Sequence, residues 1–241
     1  MPTMRKVALI TGANKGIGFE VARELGQAGW MVLLGARNTV LGEAAEAKLR
    51  ADKVEARFVL LDVTVPQNIS TAAAKIQSEF GRLDALVNNA GIVDKQDGGA
   101  SAASVAAVER IMRTNFFGVA AVTQAMLPLL RKSKGAKIIN VSSGLGSIER
   151  NANPPWEARY SLLGYCSSKA ALNMFTVQLA VELKGDGIEV NSVNPGYTAT
   201  DINENRGHQT LAEGAAEIMR LLLLDKGPSG GFFETAGPIP W

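Results

Sequence analysis

The chain has 241 residues, with 25 Lys plus Arg against 23 Asp plus Glu and a formal charge of +2. That length can bury a substantial core, and so even a balance excludes a general electrostatic case for binding nucleic acid or an anionic membrane. The single cysteine, Cys166, has no partner for an intramolecular disulfide or a multi-cysteine metal site, which fits a reducing compartment.

The first residues lead into an apolar run at 7–10 that is too short for a signal peptide core or a membrane span. No later segment offers about 20 apolar residues in succession, so a soluble, cytoplasmic protein with no membrane or nucleic-acid partner is expected. Runs at 7–10, 30–34, 56–61, 85–87, 137–141 and 189–193 read as strands, and several are apolar on both faces, as in parallel sheets covered on two sides. The stretches at 16–26, 39–50, 67–80, 104–113, 116–130 and 164–184 have the length and period of crossover helices. This rhythm predicts a single α/β domain over 1–241, a doubly wound, Rossmann-like parallel sheet with helices on both faces. Two irregular stretches, 148–163 and 197–208, follow predicted strands. Each is either a wall of the ligand crevice or an ordinary surface loop.

The turn Thr11-Gly-Ala-Asn-Lys-Gly-Ile-Gly18 follows the first strand and opens the first helix. Glycine permits positive φ and close backbone approach, and a helix start offers unpaired N–H groups to a pyrophosphate, so this order of elements points to a dinucleotide. Gly12, Asn14, Lys15, Gly16, Ile17 and Gly18 are its candidate contacts. After the second strand comes Ala36-Arg37-Asn38, with no acidic side chain to bind a free ribose 2′-hydroxyl. Arg37 suits a 2′-phosphate, with Asn38 beside it, and Lys15 could reach the same anion, which favours NADP(H). Asp62 and Val63, at the end of the third strand, either hold the adenine or form a strand-end cap.

Farther along, Tyr165-Cys-Ser-Ser-Lys169 sets a phenol and an ammonium one helical turn apart on one face. A nearby positive charge stabilises a phenolate, so the pair suggests proton transfer to or from a substrate oxygen. Cys166 reads as a small buried thiol rather than a nucleophile, since the only histidine, His208, lies in a distant polar stretch. At the carboxyl end, residues 230–241 carry a last strand and an aromatic tail whose Trp241 either covers the pocket or pins the tail to the core.

Six motifs fall in one order: Thr11-Gly-x-x-x-Gly-x-Gly18, Asn88-Asn-Ala-Gly91, Asn115, Ser142-Ser143, Tyr165-x-x-x-Lys169 and Pro195-Gly196. Together they resemble the short-chain dehydrogenase/reductase family over nearly the whole chain. Asn14-Lys15, Arg37 and the long segment between Ser143 and Tyr165 are most similar to its carbonyl-reductase branch. The resemblance implies that Tyr165 protonates a carbonyl oxygen as hydride arrives, and that Lys169 lowers the phenol pKa and holds the nicotinamide ribose. It also implies that Ser143, the second serine of the pair, orients the substrate oxygen, and that Asn115 holds a water-mediated proton relay behind Lys169. Asn89, Ala90 and Gly91 would let the cofactor approach the fourth strand. Pro195, Gly196, Thr198 and Thr200 would embrace the nicotinamide amide, Thr198 mainly through its backbone.

Ser143 and Tyr165 stand 22 positions apart, longer than the family's common spacing. Relatives often pair two long helices into a symmetric bundle, but carbonyl reductases with insertions in this segment can be monomeric, so a monomer is expected. The expected activity is NADPH-dependent reduction of an aldehyde, ketone or quinone, the partner being a small carbonyl or alcohol substrate. A cofactor-sensing protein without turnover is the alternative; epimerase or dehydratase chemistry on a nucleotide-linked sugar would want a further substrate domain.

Overall fold

Alternation along the first strand, β1 (Val7–Thr11), decides how the layers assemble, because successive side chains of a strand point to opposite faces. Leu9 packs on one side with Leu33, Leu86, Ile138 and Val190, while Ala8 and Ile10 pack on the other with Val32, Leu34, Val87 and Ile139. A central strand buried on both faces in this way needs helices above and below it. The computed structural model describes residues 5–153 and 161–241.

The chain continues through α1 (Gly16–Gln27), β2 (Met31–Ala36), α2 (Thr39–Ala51), β3 (Ala56–Leu60), α3 (Pro66–Phe80) and β4 (Ala85–Asn88). Then come α4 (Val105–Met112), a π-helical turn (Arg113–Gly118), α5 (Val119–Leu130), β5 (Lys137–Val141), α6 (Ile148–Ala152), α7 (Leu163–Glu182) and β6 (Glu189–Val193). The last elements are α8 (Leu211–Leu223), β7 (Phe232–Glu234) and β8 (Gly237–Pro238). The strands lie in the order β3-β2-β1-β4-β5-β6-β7-β8, all parallel except β8, which returns antiparallel to β7. Strand order reverses between β1 and β4, so a crevice opens beyond their carboxyl ends. One face is covered by Ile69 and Ile76 of α3, Val122 and Met126 of α5 and Leu179 of α7. Val21 and Leu25 of α1, Leu49 of α2 and Ile218 and Leu222 of α8 cover the other. Each of these aliphatic side chains contributes about 1.5–3 kcal/mol by leaving water.

A buried polar ladder runs between the sheet and the first of these helical layers. Asn88 of β4 donates to Asn140 of β5 (2.9 Å) and Thr123 of α5 (3.0 Å), and Asn140 donates to Thr176 of α7 (2.8 Å). Thr176 in turn bonds Ser192 of β6 at 2.8 Å. Unpaired polar groups at such depth are costly, so the ladder fixes α7 in one axial register against the sheet.

The doubly wound parallel sheet matches the expectation, with strand ends within two residues of their predicted places. Three differences have local causes. The break expected between two helices near residue 114 is a π-helical turn that carries one axis through, α8 was not anticipated, and part of the irregular 148–163 stretch forms α6. Among the described residues no helix is long and apolar enough to cross a membrane.

Candidate active site

The glycine-rich turn lies at the switch point. Gly12 and Gly16 both take left-handed backbone, φ 64° and 60°, which a side chain would strain. A β-carbon on Gly12 would come within 3.0 Å of Ala90 Cα, and one on Gly18 within 2.5 Å of Asn89 Nδ2, so β1, β4 and α1 can converge only on glycine. Asn89 serves as their brace: Nδ2 donates to the carbonyls of Thr11 (2.9 Å) and Gly12 (3.2 Å). The Thr11 hydroxyl accepts from the backbone N–H groups of Asn89 and Ala90, each at 3.0 Å. Lys15 at the N-cap of α1 offers no side-chain acceptor to the helix start. Uncapped N–H groups with the positive end of a helix behind them form a fitting cradle for a pyrophosphate. Asn14 and Ile17 are partly buried within the same turn.

Beyond β2, Arg37 is exposed, and Asn38 caps α2 by accepting from the Leu41 N–H at 2.9 Å. Lys15 has a partner that its local sequence does not suggest. Its ammonium is ion-paired with Asp201, because the 197–210 loop folds across the glycine turn, bringing Thr200 Cγ2 to 3.7 Å from where a Gly16 β-carbon would lie. Asp62 forms the strand-end cap, its Oδ1 accepting from the Thr64 N–H and hydroxyl at 2.8 and 2.7 Å, with Val63 buried behind it.

Proton-handling groups converge at the carboxyl end of β5. Tyr165 and Lys169 rise from the first turns of α7. Ser143 follows β5; its hydroxyl accepts from the Leu145 N–H at 3.2 Å and lies near the Tyr165 phenol. Ser142, by contrast, donates its hydroxyl to buried Asn173 at 2.7 Å. Lys169 is 4 % exposed, donates to the Val141 carbonyl at 2.7 Å, and stands 5.6 Å from the centre of the Tyr165 ring. Burial lowers the ammonium from its ordinary 10.5 to about 8. The phenol is pushed up to about 12, chiefly by burial and against the lowering influence of the nearby Ser143 hydroxyl. The expected lowering of the phenol by Lys169 is therefore not what the polypeptide alone produces. Burial dominates the phenol, and the Lys169 ammonium gives its hydrogen bond to the Val141 carbonyl rather than to the phenol.

Asn115 sits in the π-helical turn, a geometry that often marks functional positions. Its Oδ1 accepts from the Ile92 N–H (2.8 Å), and Nδ2 donates to the Ile92 carbonyl (3.0 Å) and to Ser168 (3.1 Å). A β-carbon on Gly91 would lie 3.5 Å from Asn115 Oδ1 and 3.6 Å from Lys169 Nζ, so both side chains converge on that glycine. Across the crevice, Pro195 and Gly196 begin the 197–210 loop. Thr198 is buried, with its hydroxyl donating to the Pro195 carbonyl (3.0 Å), and the Thr200 N–H donates to Asn203 (3.1 Å).

The long segment before Tyr165 is tied to the carboxyl terminus. Arg150 of α6 holds Glu234 of β7 in a two-pronged ion pair at 2.8 and 3.1 Å, and Asn194 donates to the same carboxylate at 2.8 Å. Trp241 stacks on Phe232, ring centres 5.5 Å apart, which is the pinning alternative for that residue. The rest of the expected substrate wall, 154–160, lies outside the described residues. His208 packs on Tyr197, and burial pushes the Cys166 thiol up. Asp97 escaped the sequence reading altogether: its carboxylate accepts from the Gly164 and Tyr165 N–H groups at 2.8 and 2.9 Å. A partner 67 and 68 positions away leaves no mark in local sequence.

The profile of the family described as short chain dehydrogenase matches residues 6–211. Salutaridine reductase of Papaver bracteatum is 32% identical, with 96% of this chain and 95% of that protein aligned. Carbonyl reductase (NADPH) 1 of Mus musculus is 31% identical over the whole of both chains. Among solved structures, NADPH-bound carbonyl reductase from chicken fatty liver is similar with a TM-score of 0.86 at 28% identity, covering 98% of this chain and 99% of that one.

Proposed function

The chain belongs to the short-chain dehydrogenase family, and we propose that it is an NADPH-dependent reductase of a carbonyl in an aldehyde, ketone or quinone. The observation that carries this reading is the placement of the Ser143 and Tyr165 hydroxyls near one another beside the buried Lys169 ammonium. Two hydroxyls so placed can both donate to one carbonyl oxygen, and such pre-aimed donors stabilise the charge that develops there. NADPH, when bound, supplies the hydride to the carbonyl carbon. Tyr165 gives its proton to the oxygen, Ser143 holds that oxygen in place, and Lys169 stabilises the phenolate left behind while remaining charged below about pH 8. Asn115, whose Oδ1 faces Gly91 as Lys169 Nζ does, would hold the water that restores the proton.

The uncapped start of α1 and the N–H groups of the turn 12–18 would receive the pyrophosphate, and Arg37 the 2′-phosphate. Asp62 and Val63 would border the adenine, Ala90 and Gly91 the ribose beside Lys169, and Pro195, Gly196, Thr198 and Thr200 the amide. The reading draws support from the relatives named above, a carbonyl reductase (NADPH) and a structure of an NADPH-bound carbonyl reductase. The test is consumption of NADPH by purified protein across a panel of aldehydes, ketones and quinones. Tight NADPH binding with no turnover of any member would overturn the reading in favour of a cofactor sensor.

A further inference from the structure

The first turn of α7 has no acceptor of its own, since Leu162 at the N-cap carries no side-chain oxygen. Asp97, from the loop after β4, fills that need at long range. Its Oδ1 accepts from Gly164 at 2.8 Å and its Oδ2 from Tyr165 at 2.9 Å. The loop is itself fixed on the other side. Arg110 of α4 donates to Asp94 at 2.8 Å and to Gln96 at 3.0 Å, the Asp97 N–H donates to the Asp94 carbonyl at 3.0 Å, and the Leu163 N–H donates to the Gly98 carbonyl at 2.8 Å. Gly164 permits the close approach: a β-carbon there would stand 2.9 Å from Ile111 Cδ1 and 3.1 Å from Val108 Cα of α4.

From this geometry we propose that Asp97 is a positioning residue for Tyr165, clamping the start of α7 so that the phenol stays beside Ser143 and Lys169. The proposal rests on the reading of Tyr165 as proton donor. Carboxylate–amide bonds of this kind are among the stronger hydrogen bonds, and a negative charge is favourable at a helix start. A device for acidifying the phenol would place positive charge here. The carboxylate does the reverse, so its contribution to the reaction is geometric, through a backbone N–H of the reacting residue itself. A misplacement of about 1 Å in such a site costs about 10²-fold in rate.

Two variants test it, Asp97→Ala, which removes both acceptors, and Asp97→Asn, which keeps one. With a carbonyl that the wild type reduces, Asp97→Ala should lower kcat by about 10²-fold and Asp97→Asn by less, with KM for NADPH unchanged. Alkylation of Cys166, the single cysteine, reports the cap independently, because Asp97 raises that thiol after burial does; its pH profile should move to lower pH in both variants. A kcat equal to wild type in the presence of that alkylation shift would overturn the proposal. Should Asp97→Ala not fold, Asp97→Asn carries the same comparison. Should the wild type turn over no carbonyl, the functional reading fails first, and the clamp is then read from the ring-carbon NMR signals of Tyr165, identified by their loss in Tyr165→Phe. Signals displaced in Asp97→Asn support the clamp, and unchanged signals refute it.

Discussion

Replacing Lys169 with methionine removes a buried ammonium whose presence costs stability near neutral pH. Folding takes that group from a pKa of 10.5 to about 8, a difference of about 3.5 kcal/mol at about 1.4 kcal/mol per tenfold. The sign follows from proton binding. Between about pH 8 and 10.5 the unfolded chain carries a proton that the folded chain has lost, so wild-type stability rises with pH through that window. Methionine cannot titrate. It also leaves the Val141 carbonyl without its 2.7 Å donor, a pH-independent loss of about 1–3 kcal/mol. The two effects nearly cancel at about pH 7, where Lys169→Met should be close to wild type in stability and without reductase activity. The unfolding free energy of wild type minus that of Lys169→Met, measured by urea titration, should then increase by about 2 kcal/mol from about pH 7 to 9.5. A flat or falling difference would refute the burial cost assigned to Lys169.

The two serines separate function from support. Ser143→Ala should lower kcat by about 10²-fold with little change in urea midpoint, while Ser142→Ala, which strips buried Asn173 of its 2.7 Å donor, should cost about 1–3 kcal/mol and spare kcat; the opposite pattern would move the substrate contact to Ser142. Arg37→Ala should weaken NADPH by about tenfold or more in calorimetric titration and leave NADH unchanged, and Asp201→Asn, by releasing Lys15, should strengthen NADPH by up to about fivefold. Equal losses for both cofactors would remove the 2′-phosphate from Arg37. At saturating NADPH, kcat for reduction should decline above about pH 8 as Lys169 loses its charge, and a profile level to about pH 10 would contradict the ammonium's role.

What could be read from sequence was whatever is local. Strand, glycine turn and helix at 7–18 are contiguous, and Tyr165 and Lys169 share one helical face, so periodicity alone placed them together. Choosing Ser143 over Ser142 came from the family resemblance; in the structure Ser142 bonds buried Asn173, whereas Ser143 accepts from the Leu145 N–H. Long-range pairings were out of reach. Lys15 meets Asp201 across 186 positions, a pairing that no local pattern reveals. The raised phenol likewise depends on how far the fold desolvates the half-buried Tyr165, which residue spacing does not encode. One missed element did carry a local signal: Thr210 and Glu213 form a capping box in front of α8, a start mark legible in the sequence itself.

The central claim is that Tyr165 delivers a proton to a carbonyl oxygen while NADPH delivers hydride to its carbon. The most direct measurement uses NADPH deuterated at the transferring position, with wild type and Tyr165→Phe compared on one carbonyl substrate and the product alcohol analysed by mass spectrometry. The account predicts one deuterium on the carbinol carbon for the wild type, and for Tyr165→Phe a kcat lower by at least about 10²-fold with NADPH affinity retained. A Tyr165→Phe enzyme that reduces the same carbonyl at the wild-type rate would contradict it.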